Sequence, residues 1–335
     1  MPNKDIVVVG TSAGGIEALR KLLGALPPDF PATVFVVQHL SPDVPSLLAQ
    51  ILERATSLPV QTARDGERFR RGRVYVAPPD RHLMLGDGDL MRVTRGPKEN
   101  RFRPAVDPLF RSAARAYGPR VVGVVLTGGL DDGTTGLLAL KQRGGTAVVQ
   151  DPADALVPSM PLSAVTHVKV DYCLPLAGIG PLLVRLATEA AEDGSRPVSD
   201  ELDIEVNIAL EDKALEAGVT ELGEPSSYAC PDCHGVLLRL KTEGLIRFRC
   251  HTGHAYTADS LLAGVSEGVE DSLWNTIRAL EEGEMLLRHL AGHMTEGPQN
   301  GAAEALLTQA ADLRRRAALV RQATMGRPEV DAGKA

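Results

Sequence analysis

Three short segments of the sequence hold side chains suited to acyl transfer. Gly10-Thr11-Ser12-Ala13-Gly14-Gly15 fits Gly-x-Ser-x-Gly and lies between the β-branched run Asp5-Ile6-Val7-Val8-Val9 and a helical pattern over 14–25. A serine on a tight strand-to-helix turn stands exposed at the edge of a sheet. The helix N-terminus beside it offers unpaired N–H groups and a positive dipole end, both suited to an oxyanion. A helix-capping serine in a glycine-rich turn is the plainer reading of this segment alone. A dinucleotide site fits less well, because Ser12 stands where the second glycine of Gly-x-Gly-x-x-Gly should be. The ribose-binding acid expected about 20 residues further on is also missing. His39 closes a second apolar run, Thr33-Val34-Phe35-Val36-Val37-Gln38, where it can serve the serine as general base. Asp131 and Asp132 follow a third run, Val121 to Leu126, within Leu126-Thr127-Gly128-Gly129-Leu130-Asp131-Asp132-Gly133. A carboxylate there can fix the tautomer of the histidine, while one of the two aspartates caps the next helix. The order Ser, His, Asp is not the one expected of an α/β-hydrolase, which runs Ser, Asp, His.

A second cluster has metal-ligand spacing. Cys230-Pro231-Asp232-Cys233 is followed after 16 residues by Cys250-His251-Thr252-Gly253-His254, a Cys-x2-Cys-x16-Cys-x3-His pattern. Two thiolates two residues apart, met by a second pair brought back on a hairpin, make a tetrahedral set. The expected metal is a structural Zn²⁺ on Cys230, Cys233, Cys250 and His254, with His251 as the rival fourth ligand. Four protein ligands leave no open position, so no cofactor is expected for catalysis. A redox Cys-x-x-Cys would not need the second Cys/His pair. Cys173 reads as a buried core thiol.

The elements around these residues alternate. Apolar runs at 5–9, 33–37, 121–126 and 146–150 are separated by helical patterns at 14–25, 46–55, 107–117 and 134–143, with another helix at 160–167. Arg73 to Ala77 and Leu90 to Val93 read as strands around a Gly86-Asp87-Gly88-Asp89 turn. Such alternation predicts an α/β fold, a mostly parallel, doubly wound sheet with helices on both faces. Ligands of such sheets sit at the C-terminal strand ends, where Ser12, His39 and Asp132 all fall. The expected organisation is a catalytic domain over 1–188, an acidic linker over 189–224 with room for a short helix at Val206–Leu215, a zinc-ribbon-like module over 225–257, a helical hairpin over 258–325 and a flexible tail over 326–335. The apolar stripe of the hairpin includes Leu261, Leu262, Val265, Val269, Leu273, Trp274, Ile277, Leu280 and Leu287. It reads as the hairpin's own core, with a partner or dimer face as the alternative.

At this point the sequence resembles a known family. The first, second and fourth stretches in the set Gly-Thr-Ser-Ala-Gly-Gly, Val-Val-Gln-His-Leu, Tyr-Val-Ala-Pro-Pro-Asp-Arg-His and Leu-Thr-Gly-Gly-Leu-Asp-Asp-Gly-Thr-Thr-Gly carry Ser12, His39 and Asp132. Together with residues 144–152 and 158–161 they are similar to the catalytic domain of chemotaxis protein-glutamate methylesterases, the CheB family. The resemblance covers residues 5–187. It implies Ser12 as nucleophile, His39 as its base and Asp132 as the residue that orients the histidine. It also implies hydrolysis of glutamate γ-methyl esters on methyl-accepting chemoreceptors, with methanol released, and deamidation of receptor glutamines. The Ala13 N–H would hold the oxyanion, with a second donor at Gly128 or Gly129. The receiver domain of the best-known members is expected to be absent, because only a few residues precede the first strand. Rival readings are an esterase or glutaminase acting on another signalling protein, and a non-catalytic signalling scaffold.

Composition excludes other classes. The 335 residues are 44% hydrophobic and 24% charged, with a net charge of −7, which suits a globular protein with a sizeable core. No apolar run approaches the roughly 18–20 residues of a membrane span, and no signal peptide is evident, so a cytoplasmic location without membrane insertion is expected. Residues 1–190 carry a net +4 and residues 191–335 a net −11. This split predicts that Arg101, Arg103, Arg111, Arg115 and Arg120 form a basic surface facing an acidic partner, and that the acidic linker lies across it as a brake. The acidity of the second part argues against nucleic acid as a partner of the zinc module.

Overall fold

The computed structural model describes residues 2–191, 196–211, 213–241, 244–294 and 300–325. The expected tail at 326–335 lies outside the described residues, as do residues 242–243 and 295–299. The chain forms β1 (Ile6–Thr11), α1 (Gly15–Gly24), β2 (Thr33–Gln38), α2 (Leu48–Glu53), β3 (Val60–Thr62), β4 (Val74–Val76), β5 (His82–Gly86) and β6 (Leu90–Thr94). It continues with α3 (Val106–Tyr117), β7 (Val121–Val125), α4 (Thr134–Gln142), β8 (Thr146–Gln150), α5 (Ser159–His167), β9 (Tyr172–Leu174), α6 (Leu176–Leu186) and α7 (Asp200–Glu211). The remaining elements are β10 (Gly223–Ala229), β11 (Val236–Leu240), β12 (Arg247–Cys250), β13 (Ala255–Thr257), α8 (Ala258–Met294) and α9 (Asn300–Met325).

Seven strands form one sheet in the order β3-β4-β2-β1-β7-β8-β9, and every pairing in it is parallel. Strands buried on both faces need apolar residues at every position, which is why they read as continuous runs. Along β1, Ile6 and Val8 face the core covered by α3 and α4, while Val7 and Val9 face the core covered by α1 and α6. The expected doubly wound α/β fold is therefore present.

The stretch from Arg73 to Val93 folds differently from expectation. Val74–Val76 are fully buried and join the parallel sheet, and the hairpin is made by β5 and β6 instead. The sequence hid β5 because its first residue, His82, is polar yet fully buried, donating from Nε2 to the Pro97 carbonyl at 2.9 Å and accepting the Ala105 N–H on Nδ1. Cys173 is also corrected: it lies on edge strand β9 and is exposed.

Residues 189–224, expected as a linker with a short helix at 206–215, instead hold α7 from Asp200, whose Leu202, Val206 and Ala209 enter the core beside α3 and β6. Its Asp203 pairs with Arg115, and its Glu205 is buried among arginines. Acidic residues that looked solvated are partners of internal cations. One compact unit accordingly runs through Leu261 and includes the four-stranded antiparallel sheet β10-β11-β12-β13. A second unit begins at Leu262, and its described residues form the rest of α8 and α9. Within it Ile277, Ala291, Ala303, Ala310 and Ala317 are buried, whereas Leu262, Val265, Val269 and Trp274 are exposed. The stripe on α8 is thus only partly the hairpin's own core. Among the described residues, no helix is long and apolar enough to cross a membrane.

Candidate active site

Parallel register brings the three candidate side chains together. Thr11 of β1 pairs with Gln38 of β2, so the next residues, Ser12 and His39, leave the sheet side by side. β7 flanks β1 on its other edge, and the loop after it carries Asp132. His39 Nδ1 lies 3.0 Å from Ser12 Oγ, and His39 Nε2 lies 2.7 Å from Asp132 Oδ2. A carboxylate can only accept, so Nε2 carries the proton and Nδ1 turns its lone pair to the serine hydroxyl. Phe102 stacks on the imidazole at 3.7 Å between centroids, closing one face of the ring.

Ser12 is held by its backbone. Its N–H donates to Thr127 O at 3.0 Å, and its carbonyl accepts from the Gly15 N–H and from Gln38 Nε2. The turn into α1 passes through Gly14 at φ 78°, a left-handed conformation that glycine adopts without cost. Among the described residues, the Ala13 N–H has no acceptor, and Ala13 lines the cleft together with Ser12 and His39.

The expected second oxyanion donor needs a correction. The Gly128 N–H donates to Val157 O at 2.9 Å, so it is already used. Gly128 is needed for its size: a Cβ there would stand 2.8 Å from Ser12 Cβ and 2.1 Å from Met160 Sδ. The Gly129 N–H has no acceptor among the described residues, and nothing crowds that residue.

Asp132 is almost fully buried and saturated with donors. Oδ2 accepts from the Val106 N–H at 2.6 Å as well as from His39. Oδ1 accepts from Asn100 Nδ2 at 3.0 Å, the Gly133 N–H at 3.0 Å and the Asp107 N–H at 3.2 Å. The Val106 and Asp107 donors are the first N–H groups of α3, where a helix dipole favours an anion. Burial pushes the Asp132 carboxyl up, but the hydrogen bond and charge of His39, the Val106 N–H and Asn100 outweigh it and hold it below the usual carboxylate range. Gln38, Asn100 and Phe102 escaped the sequence reading. The two polar ones end a strand or sit in an irregular segment, where no periodicity marks them.

Asp131 points elsewhere. It is buried, its Oδ1 has no partner among the described residues, and its backbone carbonyl accepts the Thr134 N–H. Burial, with Asp107, Asp259 and Asp132 nearby, pushes its carboxyl up from 3.8 to about 7 against a hydrogen bond from Thr257. A carboxyl whose folded value exceeds its unfolded one weakens the fold progressively as pH rises from 3.8 to about 7. Asp131→Asn should therefore stabilise the protein at pH 8 by up to about 4 kcal/mol and have little effect at pH 4. Urea unfolding of both proteins at the two pH values checks this, and an equal effect at both would refute it.

The surrounding cleft encloses about 510 Å³ and is lined by Lys98, Arg101, Arg103 and Asp80 besides the residues above. The wider basic surface expected from the sequence is not there. Arg111 is buried against Glu99, Arg115 meets Asp203, and Arg120 holds Asp5. None of the described residues of 196–224 lines this cleft, so α7 does not lie across it as a brake.

The second cluster also assembles. Cys230, Cys233, Cys250 and His254 place one ligand atom each within 4.8 Å of all the others. Cys233 Sγ lies 3.6 Å from Cys250 Sγ, and His254 Nδ1 lies 3.6 Å from both Cys230 Sγ and Cys250 Sγ. Those separations match the edges of a tetrahedron whose bonds are about 2.0–2.3 Å, the values for Zn–N and Zn–S. His251 is exposed, packs on Gly235 and stands outside the cluster.

A hydroxyl, an imidazole and a carboxylate in sequence on the C-terminal edge of a parallel sheet form an arrangement suited to acyl transfer in an α/β fold. The comparisons with known proteins agree. The sequence pattern of CheB methylesterases matches residues 7–183. A Leptospira interrogans protein is 39% identical over 184 residues, which are 55% of this chain and 95% of that protein. A protein-glutamate methylesterase/protein-glutamine glutaminase of Anaeromyxobacter dehalogenans is 46% identical over 172 residues, 51% of this chain and 50% of that protein, so this chain spans about half its length. The crystal structure of the Thermotoga maritima CheB methylesterase catalytic domain superposes with a TM-score of 0.53 at 37% identity, covering 56% of this chain and 99% of that one. The chain belongs to the CheB methylesterase family.

Proposed function

We propose that this protein hydrolyses glutamate γ-methyl esters of a chemoreceptor-type protein, with Ser12 as nucleophile, His39 as base and Asp132 as the residue that orients it. The observation that carries the reading is the continuous relay from Ser12 Oγ to His39 Nδ1 at 3.0 Å and from His39 Nε2 to Asp132 at 2.7 Å. Ser12 Oγ attacks the ester carbonyl as His39 Nδ1 takes its proton. The negative charge that develops on the carbonyl oxygen is met by the Ala13 N–H, at the N-terminal end of α1. The C–O bond to the methoxy group then breaks, and His39 returns the proton, releasing methanol. Water repeats the sequence on the glutamyl-serine ester, leaving a free glutamate and the original serine. The same steps on a glutamine side chain release ammonia, consistent with the double name of the Anaeromyxobacter relative. Lys98 lies at the cleft and would exchange its surface pairing with Asp232 for a glutamate of the substrate segment.

The test is methanol release from receptor methylated with a labelled methyl group. Release above the rate of the receptor alone is expected, and its absence in protein whose Ser12 still reacts with a serine-directed probe would place the substrate elsewhere. In the same reading, Cys230, Cys233, Cys250 and His254 hold one structural Zn²⁺. Metal analysis should find one zinc per chain, and Cys250→Ser should lose it; full retention by that variant would exclude the site.

A further inference from the structure

The Cys/His module lies directly behind the relay. Ala255, which follows the ligand His254, accepts the Asn100 N–H at 2.8 Å and donates its own N–H to Lys98 O at 3.2 Å. Ser260, fully buried in the first turn of α8, donates from Oγ to Asn100 Oδ1 at 3.2 Å. Asn100 then spends both protons of its amide inward, one on Asp132 Oδ1 and one on Asp107 Oδ2, each at 3.0 Å. This orientation is fixed by its partners, because carboxylates can only accept and Ser260 supplies the matching donor. Next to Asn100, Glu99 is held by Arg249 of β12, one residue before the ligand Cys250. Asn100 itself adopts a left-handed backbone at φ 49°, a conformation asparagine enters more readily than most residues.

We propose that the Cys/His module sets the reactivity of Ser12 through Asn100, a positioning residue whose side chain the module holds against Asp132. This rests on the reading of Ser12, His39 and Asp132 as the reacting relay. Metal at the cluster orders the turn from Cys250 to His254, and that turn carries Ala255 into place against Asn100. Small Cys/His modules commonly lose their fold with their metal. Loss of zinc therefore frees the Asn100 amide, Asp132 loses a donor, and the imidazole loses the alignment that turns Nδ1 to Ser12. The module in this sense buttresses the relay from behind, and metal supply regulates the enzyme.

The experiment uses the full chain, zinc-loaded and after chelation, with Asn100→Gly and Ser260→Ala beside wild type. Glycine keeps the left-handed backbone and removes only the amide. Three readouts are taken: the second-order rate at which a fluorophosphonate labels Ser12, the downfield proton resonance of the His39–Asp132 hydrogen bond, and bound zinc. Removing zinc from wild type should slow labelling by about 10- to 100-fold, the scale of one hydrogen bond to a charged group, and should move the His39 resonance. Zinc-loaded Asn100→Gly should show a comparable loss while retaining its metal, and chelation should then add less than about twofold, as expected for two changes acting through one contact. Zinc-loaded Ser260→Ala should fall between the two. Labelling and resonance unchanged in both zinc-loaded variants would overturn the proposal even if chelation unfolds the module. A chelation loss in Asn100→Gly as large as in wild type would overturn it too. Wild type that does not label with zinc bound would instead remove the relay reading underneath.

Discussion

Ser12→Ala is expected to reduce methanol release by about 10⁴- to 10⁶-fold, the scale seen when the nucleophile of a serine hydrolase is removed. The fold should survive. The turn is secured by backbone groups, namely Ser12 N–H to Thr127 O, the Gly15 N–H to Ser12 O, and Gln38 Nε2 to the same carbonyl. Among the described residues the hydroxyl meets only His39, whose Nδ1 faces the open cleft and can take a water in its place, so the urea midpoint should change by no more than about 0.5 kcal/mol in stability terms. Two measurements on one sample decide it: the rate of labelled methanol release and the unfolding curve. Release within tenfold of wild type by a well-folded variant would mean that Ser12 is not the nucleophile. A variant that fails to fold would mean that the hydroxyl supports the turn in a way the hydrogen bonds do not suggest.

The second large effect is on stability. Five charged side chains, Glu99, Arg111, Glu205, Arg247 and Arg249, meet where α3, α7 and β12 converge. Arg111 and Arg249 are fully buried, and Glu205 pairs with Arg247 and, at 2.9 Å, with Arg249. Burial pushes the Glu205 carboxyl up, and the Arg247, Arg111 and Arg249 guanidiniums more than reverse it, holding it below the usual carboxylate range. Glu205→Ala leaves three guanidiniums around a single carboxylate, and should cost about 3–5 kcal/mol, as breaking a buried ion pair by removing one partner does. Because the folded value is depressed, this stabilisation is complete above about pH 4.5 and is lost as pH falls below it. Urea unfolding at pH 7 should show the full loss, and the gap between variant and wild type should narrow toward pH 3. A loss below about 1 kcal/mol at pH 7 would mean that water reaches the cluster and screens it.

That cluster shows where the sequence could not be read. Glu205 sits in a stretch with 12 acidic and two basic residues between 189 and 224, which is the composition of a solvated linker. Its partners lie far away along the chain, at Arg111 and near Arg247, and no periodicity relates them. The same holds for Gln38, Asn100 and Ser260, each of which reads as an ordinary polar residue. Conversely, Arg111 and Arg115 looked like a surface for an acidic partner and turned out to serve internal acids.

Sequence alone determined the doubly wound sheet, the strand ends that carry Ser12, His39 and Asp132, and the four cysteine and histidine positions of the second cluster. These are local signals: apolar runs that must be buried, turns that demand small residues, and ligand spacings that a single hairpin can close. Tertiary structure alone decided that Nδ1 faces the serine and Nε2 the aspartate, that the Gly128 N–H is already committed, and that the Cys/His module touches the relay through Asn100. Each of these depends on which lone pair or N–H meets which partner across more than 25 residues of chain. Direction and distance in space govern such contacts, and residue type and spacing do not encode them.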